Sequence, residues 1–299
     1  MKAVQYVEFG GPENAKLTDV EEPHAGPGQI RIAVRAVSIN PIDWKIGSGT
    51  MGGELPLMIG RDVAGVLDEV GEGVSDVTEG DRAFGFAVGG GAAEYTLLQD
   101  YAKIPDSLDF AAAAALPVAI ETATRTLDLL GVSTGQTVLV NGAAGGVGLA
   151  TVQLARARGA RVIGTASERN HEHLSSLGVE PVTYGEGLVE RVRELAPDGV
   201  DAAIDTAGAA LAEQVELAGG PDHVVTIAAY EDAQNLGVRF SGGMGTDRAL
   251  NAFVDVPRLI EEGRFELPIE RTYPLADAAK ALSDSQAGHV RGKLVLVVD

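Results

Sequence analysis

The sequence contains no cysteine. This absence excludes a disulfide framework, a thiolate nucleophile and a zinc site with Cys ligands. A chain without disulfides suits the cytosol, and the opening stretch MKAVQYVEF lacks the long apolar run of a signal peptide. We therefore expect a cytoplasmic protein.

Basic residues are also scarce. The chain has 23 Lys and Arg against 43 Asp and Glu, which gives a formal net charge of −20. Such a surface repels nucleic-acid phosphates and anionic membranes, so neither is an expected partner. An anionic cofactor or substrate would need a locally basic pocket against this field.

Long hydrophobic runs are missing as well. The longest, residues 110–120, is too short to span a bilayer and ends at Glu121. The chain nevertheless has 299 residues, 45% of them hydrophobic, and 39 glycines. This composition predicts two folded domains with many tight turns.

The first third of the sequence is typical of a small β-rich domain. Apolar and polar residues alternate over QIRIAVRAVS at 29–38, which predicts a half-buried strand. Short apolar runs at 60–74 and 80–88 are split by glycines, as in small barrels. The last strand, GKLVLVV at 292–298, has no helix after it, and we expect it to rejoin this domain.

From residue 111 the pattern changes to strands that alternate with helices. A helical stretch at 111–131 comes first; strands are predicted at 137–141, 160–166, 181–184, 200–208, 223–229 and 237–243, and further helices at 148–159, 188–196, 209–218 and 248–263. Such alternation predicts a parallel, doubly wound sheet.

The stretch NGAAGGVG at 141–148 follows a buried strand and opens a helix, which is the setting of a dinucleotide-binding turn. Gly145 stands where the backbone must approach a diphosphate, and Gly148 where the helix must pack closely. Ala143 replaces the first glycine, which is tolerable if its φ stays negative. The helix N-terminus supplies N–H groups and partial positive charge for the diphosphate.

Two other nucleophile or phosphate motifs fail on context. The turn is not followed by Gly-Lys-Ser/Thr, so a nucleoside triphosphate site is disfavoured. GVSTG at 131–135 matches the hydrolase pattern G-x-S-x-G, but a helix precedes it and a strand follows, the reverse of what that motif needs.

The residues some twenty positions beyond the turn favour NADPH over NADH. Thr165 and Ala166 stand where a carboxylate would bind the ribose hydroxyls of NADH. Ser167 and Arg169 provide a hydroxyl and a guanidinium that suit a 2′-phosphate. Glu168 between them argues for the other cofactor, and Ser167 can also be interpreted as a helix N-cap.

Taken together, these features resemble the zinc-independent medium-chain dehydrogenase/reductases, in the quinone oxidoreductase-like branch. The segments that carry the resemblance are VSINPIDWKIGSG (37–49), GRDVAGVLDEVGEGV (60–74), GDRAFGF (80–86), AAEYTLL (92–98), LPVAIETA (116–123), VLVNGAAGGVG (138–148), TYGE (183–186) and RGKLVLVV (291–298).

The resemblance implies an α/β fold with two domains. A GroES-like, β-rich catalytic domain would span residues 1–112 and be completed by 249–299, and a Rossmann NADP-binding domain would span 113–248. The active site would lie in the cleft between them.

Metal chemistry is not expected. The zinc-dependent relatives use Cys and a Gly-His-Glu segment, where this chain has Gly60-Arg61-Asp62 and no Cys. His171 and His173 are two positions apart, a spacing that does not bring them onto one helix face.

The resemblance also implies a set of residues that contact the cofactor. The turn would hold the diphosphate, Ser167 and Arg169 the 2′-phosphate, Tyr184 the adenosine end, and Asn40 and Thr122 the nicotinamide. The full set is Asn40, Thr122, Ala144, Gly145, Gly146, Val147, Ser167, Arg169, Tyr184, Ala207, Gly208, Ile227, Ala228, Ala229, Gly242 and Gly243.

Without a metal, hydride transfer to a quinone or to the C=C of an enone is the easier chemistry, because a hydrogen-bond donor at the carbonyl oxygen suffices. Lys45 is the candidate donor, with an ordinary surface lysine as the alternative. Asn40 would orient cofactor or substrate, or would serve only as a turn residue before Pro41. Glu121 is either a cleft carboxylate that selects substrates or an exposed helix residue.

The sequence therefore predicts an NADPH-dependent reductase of small-molecule quinones or α,β-unsaturated carbonyl compounds. An enoyl-thioester reductase and a non-catalytic NADPH-binding sensor stay open as alternatives, as does the choice between one- and two-electron reduction. The resemblance also implies a homodimer that pairs the edge strands of two Rossmann sheets, with GVRFSGG (237–243) as the edge.

Overall fold

The computed structural model describes residues 1–243 and 248–299. The chain forms two compact units, one from Met1–Val118 with Leu267–Asp299 and the other from Ala119–Glu266. The second unit thus extends past the expected boundary at residue 248. Its final residues are tied to an interior helix, because the Gln153 amide donates to Glu266 O at 2.8 Å and accepts from Glu266 N at 2.9 Å.

The strands, in chain order, are β1 Lys2–Tyr6, β2 Ala15–Asp19, β3 Ile30–Ile39, β4 Leu57–Met58, β5 Asp62–Val70, β6 Arg82–Val88, β7 Tyr95–Lys103, β8 Thr137–Asn141, β9 Arg161–Thr165, β10 Glu180–Val182, β11 Ala202–Asp205, β12 Val224–Thr226, β13 Arg239–Phe240, β14 Ile269–Pro274 and β15 Lys293–Val297. The helices are α1 Pro41–Gly47, α2 Phe110–Ala114, α3 Pro117–Leu129, α4 Gly146–Ala157, α5 His171–Ser176, α6 Leu188–Leu195, α7 Leu211–Leu217, α8 Tyr230–Leu236, α9 Ala252–Glu261 and α10 Ala278–Ala287. None of the helices in the described residues has the length and apolar character that a bilayer crossing requires.

The first unit is built around β3, which pairs antiparallel with β5 and with β7. Strands β5, β6 and β7 pair in turn, so the four strands close into a ring. Ile30, Ile32 and Val34 are fully buried on β3, as the alternating pattern predicts. The closed ring explains why the first third of the sequence consists of strands separated by glycine-rich turns.

The C-terminal strand rejoins this first unit, as predicted. β15 pairs antiparallel with β3, with Leu294 opposite Ile39 and Leu296 opposite Val37. Strand β14 adds to the outer side of β15 in parallel. The last thirty or so residues therefore complete the sheet that the N-terminal residues begin.

The second unit contains a six-stranded sheet in the order β10-β9-β8-β11-β12-β13, and its strand pairs are parallel. This confirms the predicted doubly wound sheet. The strand order reverses beside β8, since the chain builds outward first through β9 and then through β11. Open sheets of this kind bind ligands at the carboxyl ends of the strands, at such a reversal.

Some predicted elements differ in detail. The long helix expected from residue 111 is two helices, because Pro117 has no N–H to donate and begins a new helix. The strand expected at 237–243 is only Arg239–Phe240. Helix α8 was not predicted, because Ala233 is its one buried residue and its apolar periodicity is weak.

Candidate active site

Four adjacent strands of the parallel sheet each end in a buried polar residue. Asn141 ends β8, Thr165 ends β9, Asp205 ends β11 and Thr226 ends β12. Their exposed fractions are 3% or less. The four side chains line the carboxyl edge of the sheet, where a parallel sheet binds its ligands.

These four side chains form one hydrogen-bonded chain. Thr165 donates its hydroxyl to Asn141 Oδ1 at 2.6 Å, and Asn141 Nδ2 donates to Asp205 Oδ1 at 2.9 Å. Thr226 donates to Asp205 Oδ2 at 2.6 Å. We call this set the strand-end network. A buried carboxylate is costly unless it is hydrogen-bonded, and here Asp205 accepts from both neighbouring strands.

The network also holds the turns that follow the strands. Asp205 accepts from the backbone N–H groups of Ala207 at 3.1 Å and Gly208 at 3.0 Å. Thr226 accepts from the N–H groups of Ala228 and Ala229, both at 3.1 Å. These turn residues belong to the predicted cofactor set, and the structure fixes them along one edge.

Sequence reasoning named the turns but missed the residues that position them. The missed signal is visible in the strands themselves: VLVN, VIGT, AAID and VVT are apolar runs whose last residue is polar. A polar residue at the end of a buried strand needs a partner, and four such ends in neighbouring strands provide partners for one another.

The glycine-rich turn starts from the same network, since Gly142 N donates to Thr165 Oγ1 at 3.0 Å. A Cβ at Gly148 would overlap the carbonyl oxygen of Gly142, so this glycine is required for the helix to pack against the turn. A Cβ at Gly145 would meet nothing among the described atoms nearer than Gly142 O at 3.6 Å. The described part of the protein therefore leaves room for a side chain at 145.

Ala143 is compatible with the turn. Among the described residues, the non-glycine residues with positive φ are Ala210 and His289, so Ala143 has a negative φ and its methyl group is tolerated. Helix α4 begins at Gly146, and the first N–H groups of a helix have no partner within the helix. Ala144, Gly146 and Val147 thus lie where those N–H groups and the helix dipole can hold a diphosphate.

The predicted 2′-phosphate residues follow the end of β9. Ser167 precedes a short 3₁₀ turn, Glu168–Asn170, and its hydroxyl accepts from Asn170 Nδ2 at 3.2 Å. Glu168 and Arg169 are both exposed. The Glu168 carboxylate therefore still argues for NADH, while the Arg169 guanidinium argues for NADPH. Tyr184, predicted at the adenosine end, is half-exposed.

Glu121 is a buried residue of α3. It is 4% exposed, and its Oε1 accepts from Arg125 Nε at 2.8 Å, one turn along α3. The interpretation as an exposed helix residue is wrong, because the pair lies inside the second unit. Thr122, also buried, donates to Glu121 Oε2 at 3.4 Å, and Gly243 passes close to Arg125, since a Cβ there would lie 2.9 Å from Arg125 Nη2.

Asn40 belongs to a buried polar cluster in the first unit. Its Nδ2 donates to Asp62 Oδ2 at 2.9 Å, and its Oδ1 accepts from Lys293 Nζ at 2.5 Å. Its backbone N–H donates to Asp43 Oδ2 at 2.8 Å, which forms a capping box at the start of α1. Asn40 is therefore more than a turn residue, since both ends of its amide are hydrogen-bonded.

The electrostatics of this cluster reflect its burial. Burial raises the pKa of Asp62 to about 6, although Lys293 and the Asn40 amide act in the opposite direction. Burial also raises the pKa of Asp43 and lowers the pKa of Lys293. The Lys293 ammonium lies 3.6 Å from Asp62 Oδ2, so one cation faces two carboxyl groups in an apolar surrounding.

Lys45, the predicted donor, lies in the last turn of α1, where its Nζ is 5.6 Å from the centre of the Trp44 ring. Lys293 is the lysine that contacts Asn40, and sequence reasoning missed it. The available signal was a lysine at the start of the apolar strand KLVLV. A charged residue in a run of this kind is buried only when it is paired.

The described residues contain no group of three or more His, Cys, Asp or Glu side chains arranged to hold a metal ion. Gly60-Arg61-Asp62 stands where the zinc-dependent relatives have Gly-His-Glu. The Arg61 guanidinium lies 5.1 Å from the centre of the Phe86 ring, and Asp62 is part of the cluster with Asn40. The side chains present at this position are therefore engaged with the protein itself.

Two family models match the chain. Residues 26–106 match the model described as "Alcohol dehydrogenase GroES-like domain", and residues 177–296 match the model described as "Zinc-binding dehydrogenase". The first match lies in the unit with the closed ring of strands. The second includes β10 to β13 of the parallel sheet, all of β14 and most of β15.

The chain is similar over its whole length to characterised and solved proteins. It is 35% identical to the quinone oxidoreductase of Rattus norvegicus, covering 100% of this chain and 98% of the relative. It is 33% identical to the NADPH-dependent alkenal/one oxidoreductase of Arabidopsis thaliana, over 99% of this chain and 79% of the relative. A solved mycobacterial structure complexed with NADPH is 30% identical, covers 99% of this chain and 100% of the other, and has a TM-score of 0.88. The chain thus belongs to the zinc-independent medium-chain dehydrogenase/reductases, in the quinone oxidoreductase-like branch, and is an oxidoreductase.

Proposed function

We propose that the protein is an NADPH-dependent reductase that delivers hydride to a quinone or to the C=C of an α,β-unsaturated carbonyl compound. The observation that carries this proposal is the strand-end network, which fixes the glycine turn and the turns at Gly208 and Ala228 along one edge of the sheet. The names of the rat and Arabidopsis relatives support both the cofactor and the substrate class.

The residues of the second unit fit a dinucleotide. The backbone from Ala144 to Val147 would hold the diphosphate at the start of α4, and the open space beside Gly145 would admit it. Ala207, Gly208 and the backbone from Ile227 to Ala229 would line the path beyond the diphosphate. A bound nicotinamide supplies the hydride.

The preference for NADPH rests on the residues after β9. Ser167 and Arg169 would bind the 2′-phosphate, which requires local positive charge in a protein whose net charge is −20. Tyr184 would contact the adenosine end. The mycobacterial relative complexed with NADPH supports the same choice.

On the substrate side, Lys45 is the proposed donor to the carbonyl oxygen on which negative charge develops. Asn40 is a weaker candidate for direct contact, because its amide already bonds to Asp62 and Lys293. Its part would be to fix the start of α1, and thereby the helix that carries Lys45.

The test is consumption of NADPH, followed by its absorbance, against matched panels of quinones and enones with NADH in parallel. Turnover with members of either panel and a preference for NADPH is the expected result. Tight binding of NADPH without turnover of any acceptor would contradict the proposal and favour a cofactor-binding sensor. Preference for acyl-thioester substrates would favour an enoyl-thioester reductase instead.

We propose in addition that the protein is a homodimer through the β13 edge of the parallel sheet. Phe240 on this edge strand is 37% exposed, and it packs edge-on against Tyr230, which is 54% exposed, with ring centres 5.1 Å apart. Edge strands with exposed aromatic residues favour pairing with another chain. Light scattering should give a dimer that Phe240→Lys converts to a monomer, and a monomeric wild-type protein at micromolar concentration would contradict the proposal.

A further inference from the structure

The Glu121–Arg125 ion pair is unusual for its burial. Both side chains are 5% exposed, and two bonds join them, from Arg125 Nε to Glu121 Oε1 at 2.8 Å and from Arg125 Nη2 to Glu121 Oε2 at 3.2 Å. Four further ion pairs among the described residues of this unit lie at or near the surface, for example Arg193–Glu216, whose side chains are about half exposed. A buried pair is weak support for stability, because the cost of removing two charges from water offsets their attraction.

Each member of the pair also holds a distant part of the chain. Arg125 Nη1 donates to Ser241 O at 3.2 Å and to the Ser241 hydroxyl. Glu121 Oε1 accepts from the backbone N–H of Ala249 at 3.1 Å. Arg125 Nη2 lies 3.3 Å from Thr122 Oγ1, so the pair connects the start of α3 to the residues that follow β13.

The order of the strands indicates which half of a bound dinucleotide would lie near Ser241 and the ion pair. The turn that holds the diphosphate leaves β8, and the residues proposed for the 2′-phosphate follow β9 on one side. The nicotinamide half then lies on the other side, over the ends of β11, β12 and β13, because the two halves occupy opposite sides of the reversal. Ser241 follows β13 directly and is bonded to the end of β12, since Ser241 N donates to Thr226 O at 2.9 Å.

We infer that Glu121 and Arg125 are positioning residues, which fix the backbone of Ser241–Gly243 against Thr122 and so shape the nicotinamide half of the cofactor site. This inference rests on the proposed function. Gly243 supports it: its φ is +69°, and a Cβ there would press on the Arg125 guanidinium, so this backbone lies directly on the pair. A fork that holds Glu121 and Ser241 together requires arginine, because lysine offers a single point of attachment.

The experiment compares two ligands, NADPH and 2′,5′-ADP, by calorimetry. The second contains the adenosine half alone. In Arg125→Met we expect the Kd for NADPH to rise by about tenfold or more while that for 2′,5′-ADP changes less than about twofold, because only the nicotinamide half loses its support. Arg125→Lys should fall between wild type and Arg125→Met. Arg193→Met, at the exposed pair in the same unit, is the matched control and should leave both constants unchanged.

Arg125→Met leaves Glu121 buried without its partner and could impair folding. The double variant Glu121→Leu/Arg125→Met avoids this, since apolar residues of similar volume usually replace a buried pair without loss of stability. It should still unfold in one cooperative transition, at a somewhat lower temperature than wild type because the Ala249 N–H loses its acceptor. It should keep the wild-type affinity for 2′,5′-ADP and lose affinity for NADPH.

Equal affinity of the double variant and wild type for NADPH would overturn the inference and leave the proposed function intact. An equal loss for both ligands would also overturn it, because the pair would then support the unit as a whole. Failure of the wild-type protein to bind NADPH would overturn the proposed function and this inference with it.

Discussion

Thr226 donates its hydroxyl hydrogen to the Asp205 carboxylate over 2.6 Å, and this bond ties the carboxyl ends of two neighbouring parallel strands together. The same carboxylate accepts a hydrogen bond from Asn141 Nδ2, on the neighbouring strand at its other side. Backbone N–H groups of the turns that follow these strands donate to the same side chains. The strand-end network therefore couples the stability of the sheet to the shape of its ligand-binding edge.

Asp205→Asn should lower the stability of the protein and also disturb the ligand-binding edge of the sheet. The amide has one acceptor atom, whereas Asp205 accepts from Thr226 and Asn141 and from two turn N–H groups. We expect a loss of about 2–3 kcal/mol in the free energy of unfolding, measured in urea, because buried donors lose their acceptor. The affinity for NADPH should fall as well.

Asp201→Asn is the matched control for this change, since Asp201 immediately precedes the same strand and its exposed carboxylate accepts from Thr137 N at 2.7 Å. Its cost should stay below about 1 kcal/mol, as is usual for an exposed hydrogen bond. Equal losses in the two variants would show that the network has no special role.

Two glycine substitutions at the start of α4 should affect different properties, stability in one variant and cofactor affinity in the other. Gly148→Ala places a methyl group against the Gly142 carbonyl and should cost about 1–3 kcal/mol of stability, as overpacking does. Gly145→Ala meets open space, so stability should be retained while the Kd for NADPH rises by about tenfold or more. Unchanged NADPH affinity in a folded Gly145→Ala variant would mean that the diphosphate does not approach this glycine.

Cofactor preference should shift when the guanidinium after β9 is removed. Arg169→Gln should raise the KM for NADPH by about tenfold or more, since a charge-assisted bond to the phosphate is lost, and should leave the KM for NADH nearly unchanged. Arg264→Gln, at an exposed arginine paired with Glu262, is the control. Parallel changes with both cofactors would remove Arg169 from the 2′-phosphate site.

Tyr273 should make stability depend on pH in the alkaline range. Burial and the hydrogen bond that its phenol donates to Asp284 at 2.6 Å raise the pKa of Tyr273 to about 12. The folded pKa exceeds the ordinary tyrosine value of 10.0. The contribution of this phenol to stability is therefore complete below pH 10 and is lost as the pH rises toward 12.

Tyr273→Phe should therefore be less stable than wild type by about 1.5–3 kcal/mol at pH 8, the usual contribution of a hydrogen bond to a charged group. This difference in the free energy of unfolding should narrow above pH 10. Urea unfolding of wild type and variant at pH 8 and at pH 11 measures this difference in the free energy of unfolding. Tyr184→Phe, at a half-exposed ring, should match wild type throughout. A constant gap from pH 8 to pH 11 would show that the phenol titrates normally.

The sequence was sufficient for features that repeat or follow a local rule. The alternation on β3 and the strand–turn–helix around Gly145 depend on near neighbours in the chain, and the structure has both. The partner of Glu121 was one helical turn away at Arg125, yet the burial of the pair depends on Ser241 and Ala249, which only the folded chain brings near. Lys293 is more than 250 positions from Asn40, so no local pattern could connect them.

Substitutions of Lys45 and Lys293 test two roles separately, catalysis for Lys45 and stabilisation of the buried polar cluster for Lys293. Lys293→Met leaves Asp43 and Asp62 buried without their cation, and we expect a loss of about 3–5 kcal/mol in the free energy of unfolding. Lys45→Met touches none of these bonds and should keep wild-type stability and NADPH affinity. If its ammonium donates to the substrate carbonyl, kcat should fall by about 10²- to 10³-fold, as for the loss of one oxyanion donor. Unchanged kcat in a folded Lys45→Met variant would remove Lys45 from the mechanism, because the substitution removes its ammonium and leaves the buried cluster at Asn40 intact.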